Sequence, residues 1–129
     1  MHERTATDAP ITEAAFKAAL EDLLLKHQAK IWLARSTGQR LDTLFSVGGA
    51  QGAPIHNFDH LNGFYLMGEG VTPDLLGPIH TLFVRFCAGH RTDGTVHPHG
   101  RVIDLHYQHH AGAPARQVLT LHMPFGVRT

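Results

Sequence analysis

Cysteine is almost absent from this chain of 129 residues, which carries only Cys87. A single thiol excludes an internal disulfide framework and any zinc site built on cysteines. Net charge is absent too: Lys+Arg is 11 and Asp+Glu is 11. A zero balance argues against a nucleic-acid partner and against a membrane surface held by basic charge. No stretch reaches the roughly 20 uninterrupted apolar residues of a membrane helix. His2, Glu3, Arg4 and Asp8 stand where the apolar part of a signal peptide would begin, so a cytoplasmic location is expected. Phosphate-cradling glycines are missing, since Gly48, Gly49 and Gly52 fit neither G-x-G-x-x-G nor G-K-[ST]. Ser36 and Ser46 lack a G-x-S-x-G context. The acidic residues are scattered rather than paired for glycoside chemistry, and aromatic and basic residues are not interleaved as base stacking requires.

Hydrophobic residues make up 43% of the sequence, an ordinary share for a globular chain and too high for a disordered one. The length suits one domain over residues 1–129, with residues 1–10 as a flexible polar arm. The anomaly is histidine, present 12 times.

The firmest element is a helix from about Thr12 to His27. Thr12 suits an N-cap, because its hydroxyl accepts a free N–H of the first turn. Ile11 and Phe16 are spaced as a hydrophobic staple. Phe16, Leu20, Leu23, Leu24 and His27 recur on one face. His27 then falls where an imidazolium favours the C-terminal end of a helix dipole. Lys30–Arg35 and Arg40–Val47 flank a Ser-Thr-Gly-Gln turn and read as a hairpin, with a helix through Trp32 as the alternative. Phe64–Met67 reads as a short strand. Ile79–Cys87 is apolar on both alternations and reads as a central strand buried on both sides, with Cys87 as a buried, inert thiol. Arg101–His110 and Gln117–Phe125 alternate, and their short Ala-Gly-Ala-Pro-Ala connector predicts an antiparallel hairpin. The expected fold class is therefore α+β: one N-terminal helix packed on a curved antiparallel sheet of five to six strands.

The second half concentrates the histidines. His97-Pro98-His99 is followed by Asp104, His106, His109, His110 and His122. Residues at i and i+2 of a strand share a face, so an H-x-H on a strand aims two imidazoles into one space. Imidazole ligates zinc, iron, nickel and copper, and three such ligands with an open position suit a catalytic metal. The candidate metal set is His97, His99, His106, His110 and His122. The candidate catalytic set is His106, His122 and Asp104, with Asp104 orienting an imidazole. An H-x-H, a carboxylate and a later histidine resemble the ligand order of the cupins. Here the carboxylate is Asp104 rather than Glu and the P-x-G-x-x-H signature is missing, so no activity is carried across. The initial Met1-His2-Glu3 is similar to the start of the nickel-delivery proteins of hydrogenase maturation, but the Cys-x-x-Cys motifs of that family are absent.

The plain alternative is that Asp104, His106, Gln108, His110, Thr120 and His122 form the wet face of a half-exposed sheet. Elsewhere, His80 reads as a core-edge histidine bonded to backbone and His90 as a solvated residue beside an Asp-Gly hairpin turn. His56, Asp59 and His60 read as a surface loop.

If Ile79–Cys87 pairs with Arg101–His110 around Asp93-Gly94, Phe83 lies opposite Asp104, and Pro98 forces a bulge or break at His97–Gly100. Phe83, Asp104, His106 and His122 then share one side and line a small-ligand pocket. The expected function is a small soluble domain that binds a compact organic ligand, with a divalent transition metal on its histidine face. The alternative is a non-enzymatic homodimer joined through its sheet. A third reading, a pH-responsive binder, follows from the number of imidazoles that charge between pH 7 and 5.

Overall fold

The computed structural model describes residues 9–37, 40–49, 62–108 and 118–125, with the backbone path alone for 106–108 and 118. Seven elements follow one another: α1 (Glu13–Leu23), β1 (Lys30–Thr37), β2 (Arg40–Val47), β3 (Gly63–Glu69), α2 (Pro73–Arg91), β4 (Ile103–Gln108) and β5 (Val118–Pro124). The strands form one sheet in the order β2-β1-β3-β5-β4, and every neighbouring pair is antiparallel. The protein is α+β, with its first helix packed on a five-stranded antiparallel sheet.

Thr12 caps α1, accepting the Ala15 N–H at 3.1 Å. The helix ends at Leu23, four residues before His27, and Leu24 closes it with a hydrogen bond from its N–H to the Leu20 carbonyl. His27 is exposed beyond the end of the helix and does not cap it. The chain must reverse here to enter β1, and Gly48 lets β2 return close by. A Cβ at Gly48, whose φ is +75°, would sit 2.6 Å from the Ala29 carbonyl oxygen, so only glycine fits.

The segment Ile79–Cys87 is helix, not strand, and lies within α2. Leu75, Ile79, Phe83, Phe86 and Cys87 are its buried residues. Their spacing is that of one helical face. Leu82 and Val84 join Phe86 on the other alternation and imitate a two-sided strand. Thr72 precedes Pro73 at the first helical position, where the missing N–H of proline is harmless. The Thr72 hydroxyl bonds the Asp74 carboxylate.

Two helices therefore cover the sheet. Phe16 is fully buried at their junction, with ring centroids 5.5 Å from Phe45, 6.3 Å from Phe83 and 5.1 Å from Phe86. Ile31, Leu33, Leu66, Leu119, Leu121 and Met123 complete this core from the sheet. A smaller cluster of Trp32, Ala34, Tyr65 and Met67 forms on the other side, with Leu41 packed against it.

Since Ile79–Cys87 is helical, the expected ladder of Phe83 against Asp104 does not exist. After α2, Thr92–Gly94 turns the chain, and the Asp93 carboxylate accepts the Thr95 N–H at 2.8 Å. The break at His97–Gly100 is present as a turn leading to β4, closed by a 2.9 Å bond from the Gly100 N–H to the His97 carbonyl. The hairpin of β4 and β5 forms as expected, with a register shift between Asp104 and His106.

Candidate functional site

The chemistry-bearing residues divide between the two sides of the sheet, and β4 decides the division. Asp104 pairs with Leu121, whereas Ile103 pairs with His122. Leu121 belongs to the core beneath the helices. Opposed residues share a side, so Asp104 lies on the α2 side and His122 on the other. The expected grouping of Asp104 with His122 fails by a single residue of register. His106 stands opposite Thr120 in the ladder, past the register shift.

On the α2 side a groove of about 330 Å³ opens between helix and sheet, lined by Leu76, Gly77, His80, Thr81, Asp104, Leu119 and Leu121. Leu119 and Leu121 are buried core residues and make an apolar wall. Asp104 is exposed on edge strand β4, and His80 is exposed on α2. His80 is thus a groove-lining residue rather than a core-edge histidine. Leu76 with His80, and Gly77 with Thr81, are i,i+4 pairs that a helix places side by side. Gly77 borders open space, since a Cβ there would meet nothing within 4 Å. His80 and Thr81 escape a strand reading of this segment; a helical reading brings them to one face with Gly77.

Among the described residues that line this groove, Asp104 carries the formal negative charge and none is lysine or arginine. Among the described residues the side-chain ion pair is Arg40 with Asp42, at 3.5 Å on the far edge strand. The groove therefore offers apolar walls, an uncompensated carboxylate and two side chains that can donate or accept hydrogen bonds.

On the other side, His122 and Ser36 are each 1% exposed. His122 stacks on Tyr65. Neither of its ring nitrogens has a hydrogen-bond partner, and the Ser36 hydroxyl and Trp32 indole N–H lack one as well. Burial holds the His122 pKa below the usual imidazole value, against a smaller opposing influence of the Asn62 backbone.

Of the expected metal set, the structure describes the side chains of His97, His99 and His122. His97 and His99 lie in the turn before β4, not on a strand, and both are exposed. Their ring centroids are 5.9 Å apart, and His97 Nδ1 accepts the His99 backbone N–H at 3.0 Å. His109 and His110 lie outside the described residues, as do His56, Asp59 and His60. Among the described residues no group of three or more His, Cys, Asp or Glu side chains is arranged to hold a metal ion. His90 is half-buried rather than fully solvated: its Nδ1–H donates to the Phe86 carbonyl at 3.1 Å, and its ring lies 4.7 Å from Phe64 and 4.6 Å from Phe86. Cys87 is fully buried, and desolvation drives its thiol pKa far above the ordinary range. The sequence expectation of an inert thiol is consistent with that position.

No family model, curated protein or solved structure matches this chain.

Proposed function

We propose that this protein is a ligand-binding domain whose site is the groove between α2 and the β4–β5 hairpin. The observation that carries this reading is the cavity of about 330 Å³, with leucine walls and three polar side chains at Asp104, His80 and Thr81. Small-molecule sites combine apolar walls with a few placed polar groups, and their volumes run from about 300 to 1,000 Å³. This groove is at the small end, so its ligand is compact.

The test is a screen of small fragments by backbone-amide NMR on the wild-type chain and on Gly77→Leu. A leucine at 77 has room and fills the groove from the helix side, while a better helix former replaces glycine. The expected result is a set of shifts at Gly77, His80, Thr81, Leu119 and Leu121 that Gly77→Leu abolishes. Fragments that bind only elsewhere, or equally well to the filled variant, overturn the reading.

A second reading, a homodimer through the sheet, is favoured by β4. This edge strand displays Ile103 and Leu105, 42% and 45% exposed. Unpaired edges with apolar side chains invite pairing with a second copy. Sedimentation of the wild type and Leu105→Lys is the check, with a dimer expected only in the first. A divalent metal on the histidines is carried as a proposal with no ligand cluster behind it among the described residues. Stoichiometric zinc, iron, nickel or copper in protein purified without a histidine tag is its test.

A further inference from the structure

We infer that the α2–β4 groove selects a compact amine, with Asp104 as the counter-ion of its ammonium group and the leucine wall as the seat of its apolar body. The inference rests on the ligand-binding reading and names the ligand class for the same site. Among the seven described residues lining the groove, Asp104 is the acidic one and none is lysine or arginine. Asp104 stands on the edge strand, and its ladder partner Leu121 belongs to the apolar wall. A carboxylate with no protein cation beside it, next to a low-dielectric wall, favours a ligand cation at short range. A ligand carboxylate in the same place meets like charge. A neutral alcohol gains the wall and the hydrogen bonds of His80 and Thr81 but nothing from the charge. The small volume limits the ligand to one short chain or one ring, so the ammonium and the apolar body sit close together.

The experiment uses the full chain and three isosteric probes, n-hexylamine, 1-hexanol and hexanoate, titrated at pH 8 with amide shifts of Gly77, Leu119 and Leu121 as the readout. An ordinary alkylamine is protonated at that pH and an ordinary imidazole is neutral. The inference expects hexylamine to bind more tightly than hexanol by up to about five-fold, the upper end for an exposed ion pair, and hexanoate to bind most weakly. In Asp104→Asn the affinities for hexylamine and hexanol converge. This substitution is on an exposed side chain, and an unchanged melting temperature verifies the fold. Equal affinities for amine and alcohol in the wild type, or an amine advantage that survives in Asp104→Asn, overturn the amine assignment and leave the groove as a general apolar site. Binding of none of the three probes at the groove overturns the assignment together with the ligand-binding reading beneath it.

Discussion

The imidazole of His122 lies flat on the phenol ring of Tyr65, with centroids 4.2 Å apart and planes 11° from parallel. The two residues face one another across β3 and β5. The imidazole also covers Gly63, since a Cβ at that glycine would lie 2.5 Å from His122 Nε2. A polar ring is thus held in an aromatic setting largely by the shape of its neighbours, and the Asn62 backbone is the polar group that favours its charged form. This gives the side of the sheet away from the helices two experimental handles.

The first is pH. The folded-state pKa of His122 lies below that of an ordinary imidazole, chiefly because burial disfavours the charged ring. A group depressed in this way leaves the unfolded chain binding the proton first. Its contribution to stability is fully present above about pH 6.5 and is lost as pH falls from there towards the folded-state pKa. The slope attributable to one such proton is at most about 1.4 kcal/mol per pH unit. Urea unfolding of the wild type and His122→Gln between pH 7.5 and 5 isolates it, because the other histidines are common to both proteins. The wild type is expected to lose stability more steeply than the variant on acidification, and parallel pH profiles would contradict a buried neutral imidazole.

The second is Gly63. An alanine methyl there would press on the backbone carbonyl of Met123 as well as on the His122 ring. The carbonyl belongs to the β5 ladder and cannot move without loosening it. Overpacking of this kind costs about 1–3 kcal/mol. Gly63→Ala is expected to unfold at a lower denaturant concentration by that amount. The double variant Gly63→Ala/His122→Ala should recover part of the loss, since it removes one of the two obstacles. No recovery in the double variant would locate the whole clash at the carbonyl.

Legibility in the sequence followed the clarity of periodicity. Thr12, Phe16 and Leu20 announce α1 because a cap precedes a single apolar face. The β1–β2 hairpin and the β4–β5 pair announce themselves through turn chemistry and alternation. Helix α2 does not. Ile79, Leu82, Phe83, Val84, Phe86 and Cys87 satisfy a two-sided strand as well as a helix, and periodicity cannot separate them over nine residues. Thr72-Pro73-Asp74 marks the helix start, but Gly77 and Pro78 follow within the first two turns and weaken the pattern. The error propagates to the site. Reading residues 79–87 as a strand removes His80 and Thr81 from Asp104's neighbourhood and assigns Asp104 to the same side as His122. The register shift in β4 then displaces His106 relative to Asp104, which no alternation pattern encodes. Alternation in β4 makes Asp104 visible as a candidate, but it puts His122 on the same side of the sheet, whereas the ladder puts the two on opposite sides.

Helix α1 and the turn that follows it supply a comparison of two leucines five residues apart. Leu20 is fully buried and Leu25 is 76% exposed. Leu20→Ala removes packing against the aromatic core and is expected to cost about 2–5 kcal/mol. Leu25→Ala removes little that water does not already touch and should stay within about 0.5 kcal/mol of wild type. Chemical denaturation of both variants tests the orientation of α1 on the sheet. Comparable losses at the two positions would mean that its apolar face is misplaced.

Cys87 reports on the packing of α2 from inside. Its side chain is fully buried, and desolvation raises its pKa far above that of an ordinary thiol. The thiolate is the reactive form, so alkylation in the native protein requires an opening that exposes the residue and lets it ionise. When opening is fast relative to labelling, the observed rate is the unfolded-chain rate multiplied by the population of the open form. Each 1.4 kcal/mol of opening free energy therefore slows labelling about ten-fold. Iodoacetamide labelling followed by mass spectrometry is expected to be slower by at least about 100-fold in native buffer than in 8 M urea. Leu20→Ala, which weakens the layer α2 packs on, should raise the native rate by a factor matching its loss of stability. A native Cys87 that reacts at the urea rate would place it on the surface, and α2 could not then bury the face on which Phe83 and Phe86 lie.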